Sequence, residues 1–442
     1  FLVGAATGGV LFGWLGDKIG RVRAMSLSIV TYAVFTGLCG FATEAWHIAA
    51  LRFVASLGMG GEWSLGVALV NEVWPGKSRA LIAGLIGAAA NVGYLLVALL
   101  SIGLGGFIGG ADAMLRGIGL SDATTANLLA NSAWRFLMIS GAFPALLIFF
   151  IRMFVRESEK WEEEKARGAT SHWSNADLLG VGAGCLAALV IIWAWSPAAG
   201  GLGAVAATLI TVVGLVVVLI GYLHPVRQYL GRAIKAGALP EEARGQVLRS
   251  MMLGAALAAV ALLGTWGSIQ WAPRWAGQLL PDTATVKHFA KEKTQMATSL
   301  GAVVGTILAA LAAGRFGRKP TYAALCVGSF AAALYFYLGH SAFDTSFLFA
   351  AFVAGAVTAA FYGFFPLYFP ELFPTSVRAT GQGFAFNVGR IVAAVGGLQT
   401  ATLMKAFDGS FARAGAVLAA IYLIGAVVII WAPETKGREL PE

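Results

Sequence analysis

The sequence predicts an all-α polytopic membrane protein, and two observations lead to this prediction. The 442 residues are 58% hydrophobic and only 12% charged, whereas a soluble domain carries about 25% charged residues. Apolar runs close to the roughly 20 residues that a helix needs to cross a bilayer recur along the whole chain. The short alternating segments of a transmembrane β-barrel are absent.

We read thirteen apolar spans, of which the first is too short to cross the hydrocarbon at about 1.5 Å per residue. Because the sequence begins with Phe1 inside this run, we expect another helix to precede it. The thirteen spans cover residues 1–16, 24–43, 47–71, 80–109, 134–154, 177–197, 202–223, 251–275, 295–313, 321–339, 346–369, 380–404 and 412–432. Between the fourth and fifth spans, we expect residues 110–133 to form an external segment, outside the membrane.

Lysine and arginine mark every second connection between spans, which places these connections and the C-terminus in the cytoplasm. The net charge of +9 therefore reports topology, and we expect no nucleic-acid partner. Cys39, Cys185 and Cys326 are isolated and lack metal-ligand spacing, so we expect no metal and no cofactor. The marking residues include Lys18, Arg21 and Arg23, then Lys77 and Arg79, then Arg156, Lys160 and Arg167, and finally Arg315, Arg318, Arg378, Lys436 and Arg438.

Two short motifs occur twice, once in each half of the chain. EVWPGKSRA at 72–80 returns as ELFPTSVRA at 371–379, so each half has a Glu, then Pro75 or Pro374, then an Arg. Proline ends the outgoing span, and charges so placed can pair between the halves, Glu72 with Arg378 and Glu371 with Arg79. GWLGDKIGRVR at 13–23 likewise returns as GRFGRKP at 314–320. Internal repeats of this kind are common in transporters whose halves rock around a central site.

The second motif resembles the loop signature of the major facilitator superfamily, after its second and eighth helices. PETKGREL at 433–440 and RESEKW at 156–161 resemble the signatures of its sugar-porter-like branch. RFVASLGMGGEW at 52–63 is similar to the fourth helix of relatives that carry sialate, lactate and other organic acids. The resemblance implies two pseudo-symmetric helical bundles. Here the first helix is expected to be missing and two extra spans to lie between the halves.

The resemblance divides the chain into an N-terminal bundle (1–155), a linker with the two extra helices (156–249) and a C-terminal bundle (250–442). It also implies that charged side chains act as a cytoplasmic gate. We expect any acid-based latch to lie in the copy at 13–23, because the copy at 314–320 has Gly314 in place of Asp17. The gating residues are Asp17, Arg21, Glu72, Arg79, Arg318, Glu371, Arg378 and Glu434.

Charged residues inside spans are the strongest candidates for a binding site, since each costs about 2.5–3.5 kcal/mol at a helix centre. Glu62 and Arg390 reach mid-membrane depth, and Arg52 lies nearer the outside. Glu62 could exchange a proton as substrate binds, or it could be a buried acid that is permanently paired to an arginine or caps backbone amides. Arg390 could bind a substrate carboxylate or pair with an acid on the missing first helix, and Asn387 is one turn before it.

Aromatic and amide side chains cluster in GTWGSIQWAP at 264–273, where Trp266, Gln270 and Trp271 fall within about one turn. They combine stacking surface with hydrogen bonds, as sugars and aromatic acids require, although aromatic residues at span ends also anchor helices at the interface. Tyr362 is a further candidate for binding or gating.

These features predict a secondary active transporter that moves a small polar metabolite, such as a sugar, sialic acid or another organic acid, by alternating access. Proton-coupled symport is the leading interpretation. A facilitative uniporter and a transporter-like membrane sensor are the alternatives, and no enzyme site is visible. We expect a monomer in the cytoplasmic or plasma membrane, with lipid, protons and a small-molecule substrate as its partners.

Overall fold

A computed structural model describes residues 1–74, 76, 78–196, 199–280, 289–398 and 400–441. Pro75, which is part of the repeated motif, and Lys77, which is one of the residues that mark a cytoplasmic connection, lie outside the described residues. Over the described residues the structure is built from helices, as the sequence predicts, and contains no strand.

The first bundle contains the helices α1 (Leu2–Ile19), α2 (Arg21–Cys39), α3 (Ala45–Val73), α4 (Arg79–Ile102), α5 (Leu104–Gly117), α6 (Asp122–Ser140) and α7 (Leu147–Phe154). Helix α3 packs against both α1 and α2. The predicted span 80–109 is wrong at its end, because α4 stops at Ile102. The predicted external segment, residues 110–133, is mostly helical, since α5 and α6 cover all but four of its residues.

The linker contains the helices α8 (Glu159–Ala166), α9 (Leu178–Ala194) and α10 (Ala204–Lys235). Two of them, α9 and α10, are the two extra spans that the sequence predicts. They pack against each other, and both also contact α1. The hydroxyl groups of Thr7 in α1 and Tyr222 in α10 are hydrogen-bonded at 2.7 Å, and both side chains are buried.

The second bundle contains α11 (Glu242–Gly267), α12 (Ala272–Gln278), α13 (Ala290–Phe316), α14 (Arg318–Leu338), α15 (Thr345–Thr358), α16 (Phe361–Tyr368), α17 (Arg378–Leu398), α18 (Thr400–Ala406), α19 (Phe411–Leu418) and α20 (Ile421–Val428). Short 3₁₀ turns interrupt it at Ile269–Trp271, Phe369–Leu372, Thr375–Val377 and Ile429–Trp431. The turn Ile269–Trp271 separates α11 from α12 within one predicted span, and the predicted spans 346–369 and 412–432 likewise each consist of two consecutive helices, α15 with α16 and α19 with α20.

Eleven stretches of the described chain are long and apolar enough to cross a membrane. The two remaining predicted spans correspond to α1 and α17, which pack against each other at the centre of the molecule. These helices tolerate polar residues because their faces are covered by protein. Their backbones approach closely, since a Cβ on Gly13 would lie 2.6 Å from the carbonyl oxygen of Ala379.

Two helix contacts join the bundles along their length: α1 with α17, and α4 with α13. Both pairs bring a helix of the first half against a helix of the second. We call the end of the molecule that contains Arg21, Glu72, Arg318 and Arg378 the basic end. The polar side chains described next lie either in a central cavity or at this basic end.

Candidate functional site

A cavity of about 200 Å³ lies between the two bundles. Its first side comes from α3 and α4, and its second side comes from α11, α13 and α15–α17. Gln270, which follows α11 on the side away from the basic end, is exposed. The described polar and aromatic residues that line the cavity are Trp63, Asn91, Tyr94, Thr265, Trp266, Gln270, Gln295, Thr298, Ser299, Thr358, Tyr362, Phe386 and Arg390.

Arg390 carries the one formal charge among the described residues that line this cavity. Its Nη1 atom is buried and has no hydrogen-bond partner in the described part of the chain. The guanidinium carbon lies 5.3 Å from the centre of the Phe386 ring, one helical turn earlier. A buried cation without a carboxylate is costly, so this position is suited to an anion that arrives from solution.

Aromatic rings form much of the wall near Arg390. Trp63 of α3 stacks on Phe386 of α17, with ring centres 3.8 Å apart and planes inclined by 13°. Tyr362 packs edge-on to the same Phe386 ring at 6.3 Å. These aromatic rings, which come from both halves of the chain, therefore pack together in the cavity wall and present a flat apolar surface beside a cation.

Amide and hydroxyl groups supply the remaining polarity. Asn91 donates its side-chain N–H to the carbonyl oxygen of Gly87 at 2.9 Å. Gln295 donates to the Ser299 hydroxyl at 3.0 Å. These bonds orient the two side chains and leave acceptor oxygens in the lining. A site of this kind, apolar with a few placed polar groups, is typical of small-molecule binding.

Four of the eight residues predicted for substrate or proton binding line the cavity: Trp266, Gln270, Tyr362 and Arg390. The other four do not. Arg52 is exposed and lies over the Phe1 ring at 5.5 Å. Trp271 stacks on Phe411 at 5.6 Å. Grouping these two with the cavity was wrong, because α3 carries Arg52 away from the centre and the 3₁₀ turn directs Trp271 toward α19.

Asn387 and Glu62 also lie outside the lining. Asn387 is buried where α17 meets α1 and α3, and it donates to the carbonyl oxygens of Gly383 at 2.9 Å and Gly60 at 3.4 Å. Glu62 precedes the lining residue Trp63 and makes no hydrogen bond or ion pair within the described residues. It is partly exposed and lies close enough to Tyr32 of α2 for electrostatic interaction.

Several lining residues were missed by the sequence reasoning: Trp63, Asn91, Tyr94, Gln295 and Phe386. One signal was available. Phe386 precedes Arg390 by four residues and therefore lies on the same helix face. The aromatic residues otherwise look like ordinary components of an apolar span.

At the basic end, one buried ion-pair cluster joins the halves. Arg21 binds Asp17 at 2.8 Å and Glu72 at 3.0 Å, and all three side chains are inaccessible to solvent. Arg378 of the second half also binds Glu72, at 2.8 Å. The predicted pairing of Glu72 with Arg378 is therefore present. We call these four residues the first cluster.

Asp17 also caps the start of α17. Its carboxylate accepts hydrogen bonds from the backbone N–H groups of Ala379 at 3.1 Å and Thr380 at 2.8 Å, and from the Thr380 hydroxyl at 2.6 Å. An acid at a helix N-terminus satisfies exposed N–H groups and complements the helix dipole. Here the acid and the helix belong to opposite halves of the chain.

A second cluster repeats part of this arrangement within the second half. Arg318 forms a buried ion pair with Glu371, and its Nε lies 2.9 Å from Oε2 of that carboxylate. Thr435, from the C-terminal segment, donates its hydroxyl to the same oxygen at 2.6 Å. The predicted pair of Glu371 with Arg79 is wrong: Arg79 Nη1 is buried without a partner in the described residues.

Glu434 completes the second cluster by accepting hydrogen bonds from the backbone N–H groups of Arg318 at 2.9 Å and Lys319 at 3.0 Å. Glu157 does the same for Arg21 at 2.8 Å and Val22 at 3.1 Å in the first half. Partial burial alone would raise the pKa of Glu434. The backbone N–H groups of Arg318, Lys319, Thr435 and Lys436 outweigh it, so this pKa lies below its ordinary value.

Comparison with known proteins agrees with this architecture. Residues 1–280 match the family Major Facilitator Superfamily, and residues 288–442 match the family Sugar (and other) transporter. The cis,cis-muconate transport protein of Acinetobacter baylyi is 25% identical over 97% of this chain and 82% of its own. The niacin transporter NiaP of the same organism is 24% identical over 99% and 84%.

Among solved structures, the proton:xylose symporter XylE bound to 6-bromo-6-deoxy-D-glucose has a similar fold, with a TM-score of 0.64 and 18% identity. The match covers 99% of this chain and 86% of that one. The two bundles, the repeated motifs and the family match over residues 1–280 lead to one conclusion. The chain belongs to the Major Facilitator Superfamily of membrane transporters.

Proposed function

We propose that the protein is a proton-coupled symporter of small organic acids that works by alternating access. The observation that carries this proposal is the half-buried Arg390 guanidinium, whose buried Nη1 has no hydrogen-bond partner in the described residues and which lines an aromatic cavity. A substrate carboxylate would supply the missing charge through two parallel hydrogen bonds. A neutral sugar would leave the buried cation without a counter-charge.

The proposed substrate position follows from the cavity. With its carboxylate on Arg390, the body of an acid would extend beside Trp63 and toward Trp266, whose rings offer flat apolar surface. Gln270 and Asn91 would bind polar substituents. The names of the muconate and niacin transporters describe those two relatives as carriers of unsaturated or aromatic acids, which supports this class of substrate.

Alternating access would use the ion-pair clusters as the closing contact. In the proposed orientation the basic end is cytoplasmic, so the structure corresponds to a state closed on the inside. Opening inward would separate Arg378 from Glu72, and Asp17 from the start of α17, while the bundles 1–155 and 250–442 rotate about the cavity. The segment 156–249 connects them.

Glu62 is the proposed proton carrier. It lies on α3 directly before the cavity residue Trp63 and has no ion-pair partner in the described residues. A carboxylate in this position can accept a proton when water reaches it and release that proton after the helices rearrange. The structural alternatives, a permanent pair with an arginine or hydrogen bonds from backbone amides, have no support from the described contacts.

The test is uptake into proteoliposomes of nicotinate, benzoate, cis,cis-muconate and xylose, with and without an inward proton gradient. We expect uptake of at least one acid, stimulated by the gradient, and no uptake of xylose. Arg390→Gln should abolish acid uptake and Arg390→Lys should weaken it. Arg413→Gln, which alters an exposed arginine of α19, is the matched control. Normal acid uptake by Arg390→Gln would overturn the proposed site.

A further inference from the structure

A second polar cavity, of about 460 Å³, lies at the basic end beside the contact of α4 with α13. The described charged residues that line it are Arg79, Arg315, Arg318, Arg438 and Glu439. Arg318 is neutralised by Glu371 in the second cluster. The remaining three guanidinium groups face one carboxylate, so the cavity carries a surplus of positive charge. We call it the basic cavity.

The repeat explains why this surplus exists. Asp17 precedes Arg21 by four residues and caps α17, and Gly314 precedes Arg318 by four residues in the equivalent position. The helix that corresponds to α17 is α4, which begins at Arg79. A Cβ on Gly314 would lie 3.0 Å from Cβ of Ala80, in the first turn of α4. In the described part of the chain, the carboxylate that caps α17 therefore has no counterpart at α4.

The contacts around α4 agree with a missing acid. Ser78 precedes α4 but makes no side-chain hydrogen bond to its first turn. Arg79 Nη1 is buried and has no partner in the described residues, since the carboxylate of Glu371 is occupied by Arg318 and Thr435. In the first cluster the equivalent arginine, Arg378, binds Glu72. Among the residues that the structure describes, both the helix start and the arginine therefore lack the anion that their counterparts have.

We propose that the basic cavity binds a phosphate group, which takes the place of the acid that Gly314 does not provide. A phosphate offers several acceptor oxygens to guanidinium groups arranged around it. The start of α4 adds backbone N–H groups and the positive end of a helix dipole, a common setting for phosphate. Arg79 belongs to the first half and Arg315 and Arg438 to the second, so the bound group fastens the halves together.

Two sources can supply this phosphate: a phospholipid headgroup or a soluble phosphate. The surface beside the cavity favours the lipid. Leu81 and Leu85 of α4 and Leu308 and Leu311 of α13 are all exposed. These residues form an apolar path from the basic cavity toward the middle of the membrane, which suits an acyl chain. We expect the headgroup of an anionic phospholipid to bind more tightly than inorganic phosphate.

The experiment uses the full chain purified in a maltoside detergent, which contains no phosphate. Thermal unfolding is followed after addition of inorganic phosphate or short-chain phosphatidylglycerol, with sodium chloride at matched ionic strength as the control. A ligand that binds the folded state raises the unfolding midpoint in a concentration-dependent way. Stabilisation by phosphatidylglycerol alone assigns the site to lipid, and stabilisation by inorganic phosphate alone assigns it to a soluble anion. Stabilisation by both supports the shared phosphate chemistry.

Three variants locate the site. Arg79→Gln should weaken the binding of phosphatidylglycerol by about tenfold, because one charged hydrogen-bond donor is lost. Gly314→Asp supplies the carboxylate internally and should make the unfolding midpoint insensitive to phosphate. Arg23→Gln alters an exposed arginine at the basic end of α2 and is the matched control. The proposal is overturned if neither probe stabilises the protein, or if Arg79→Gln responds like Arg23→Gln.

Discussion

Glu72 Oε1 lies 2.8 Å from Nη1 of Arg378, a residue 306 positions later in the other half of the chain. Both side chains are inaccessible to solvent. Removing one partner of such a buried pair costs about 3–5 kcal/mol, because the other charge is left uncompensated. In the proposed mechanism this ion pair keeps the basic end closed, so its loss would destabilise the closed state.

We therefore expect Glu72→Gln to open the basic end. A cysteine introduced at the buried Ser64 should react faster with an impermeant maleimide added from that side. The unfolding midpoint should also fall. Glu164→Gln, which removes a surface ion pair with Arg167, should change stability by no more than about 0.5 kcal/mol. Unchanged labelling in Glu72→Gln would contradict the closing role.

Glu434 makes part of the stability dependent on pH. Its pKa is lowered in the folded state relative to the ordinary value of 4.5. Its stabilising contribution is therefore present above the ordinary pKa and is lost as the pH falls through the lower, folded-state pKa. Unfolding midpoints measured from neutral pH into this acid range should fall less in Glu434→Gln than in the unchanged protein. Glu163→Gln, at an exposed position, should leave the profile as it is; parallel profiles for all three proteins would refute the assignment.

Trp63 is expected to bind the ring of an aromatic acid. Trp63→Ala removes both its stack on Phe386 and the surface offered to the substrate, so the apparent KM for nicotinate should rise about tenfold. Trp63→Phe should recover most of the loss. Trp271→Phe changes a tryptophan outside the cavity lining and serves as the control. An unchanged KM in Trp63→Ala would place the substrate elsewhere.

Glu62→Gln should abolish the coupling of uptake to protons while leaving substrate exchange intact. The amide cannot carry a proton, so uphill uptake driven by a pH gradient should disappear, while counterflow exchange between loaded vesicles and medium should remain measurable. Both assays use the same proteoliposomes, which controls for folding. Uphill uptake that survives in Glu62→Gln would exclude the proton role.

The proposed orientation has its own test. Single cysteines at Arg23 and Arg438, both exposed at the basic end, should react only with reagents that reach the cytoplasm. A cysteine at Gln270, on the other side of the central cavity, should react only from outside. Labelling of Arg23→Cys and Arg438→Cys from opposite faces would be incompatible with the proposed orientation.

The repeat in the sequence predicted the helical bundles and the Glu72–Arg378 pair, because equivalent residues end and begin equivalent spans. It did not predict that Arg79 would be left without Glu371. In the structure, Thr435 of the C-terminal segment donates its hydroxyl to Glu371, which also binds Arg318. A contact with a residue so distant in sequence does not follow from the repeat. Arg390 stood out because a charge within a span is costly. Trp63 and Phe386 did not, since aromatic residues are ordinary in spans and only tertiary packing shows which of them face a cavity.

The length of α4 was overestimated for a related reason. The run SIGLGGFIGG at 101–110 is apolar enough to continue a span, but the chain turns at Gly103 between α4 and α5. The hydrophobic pattern does not mark this turn, because the residues on both sides of Gly103 are apolar.

The packing of α9 and α10 makes the two seams between the bundles unequal. Both helices contact α1 and α17, and the hydroxyl of Tyr222 is hydrogen-bonded to Thr7, so protein covers that seam. The opposite seam, between α4 and α13, presents leucine side chains to its surroundings. A change in bilayer thickness or acyl-chain order would consequently act on one flank of the transporter and leave the other shielded.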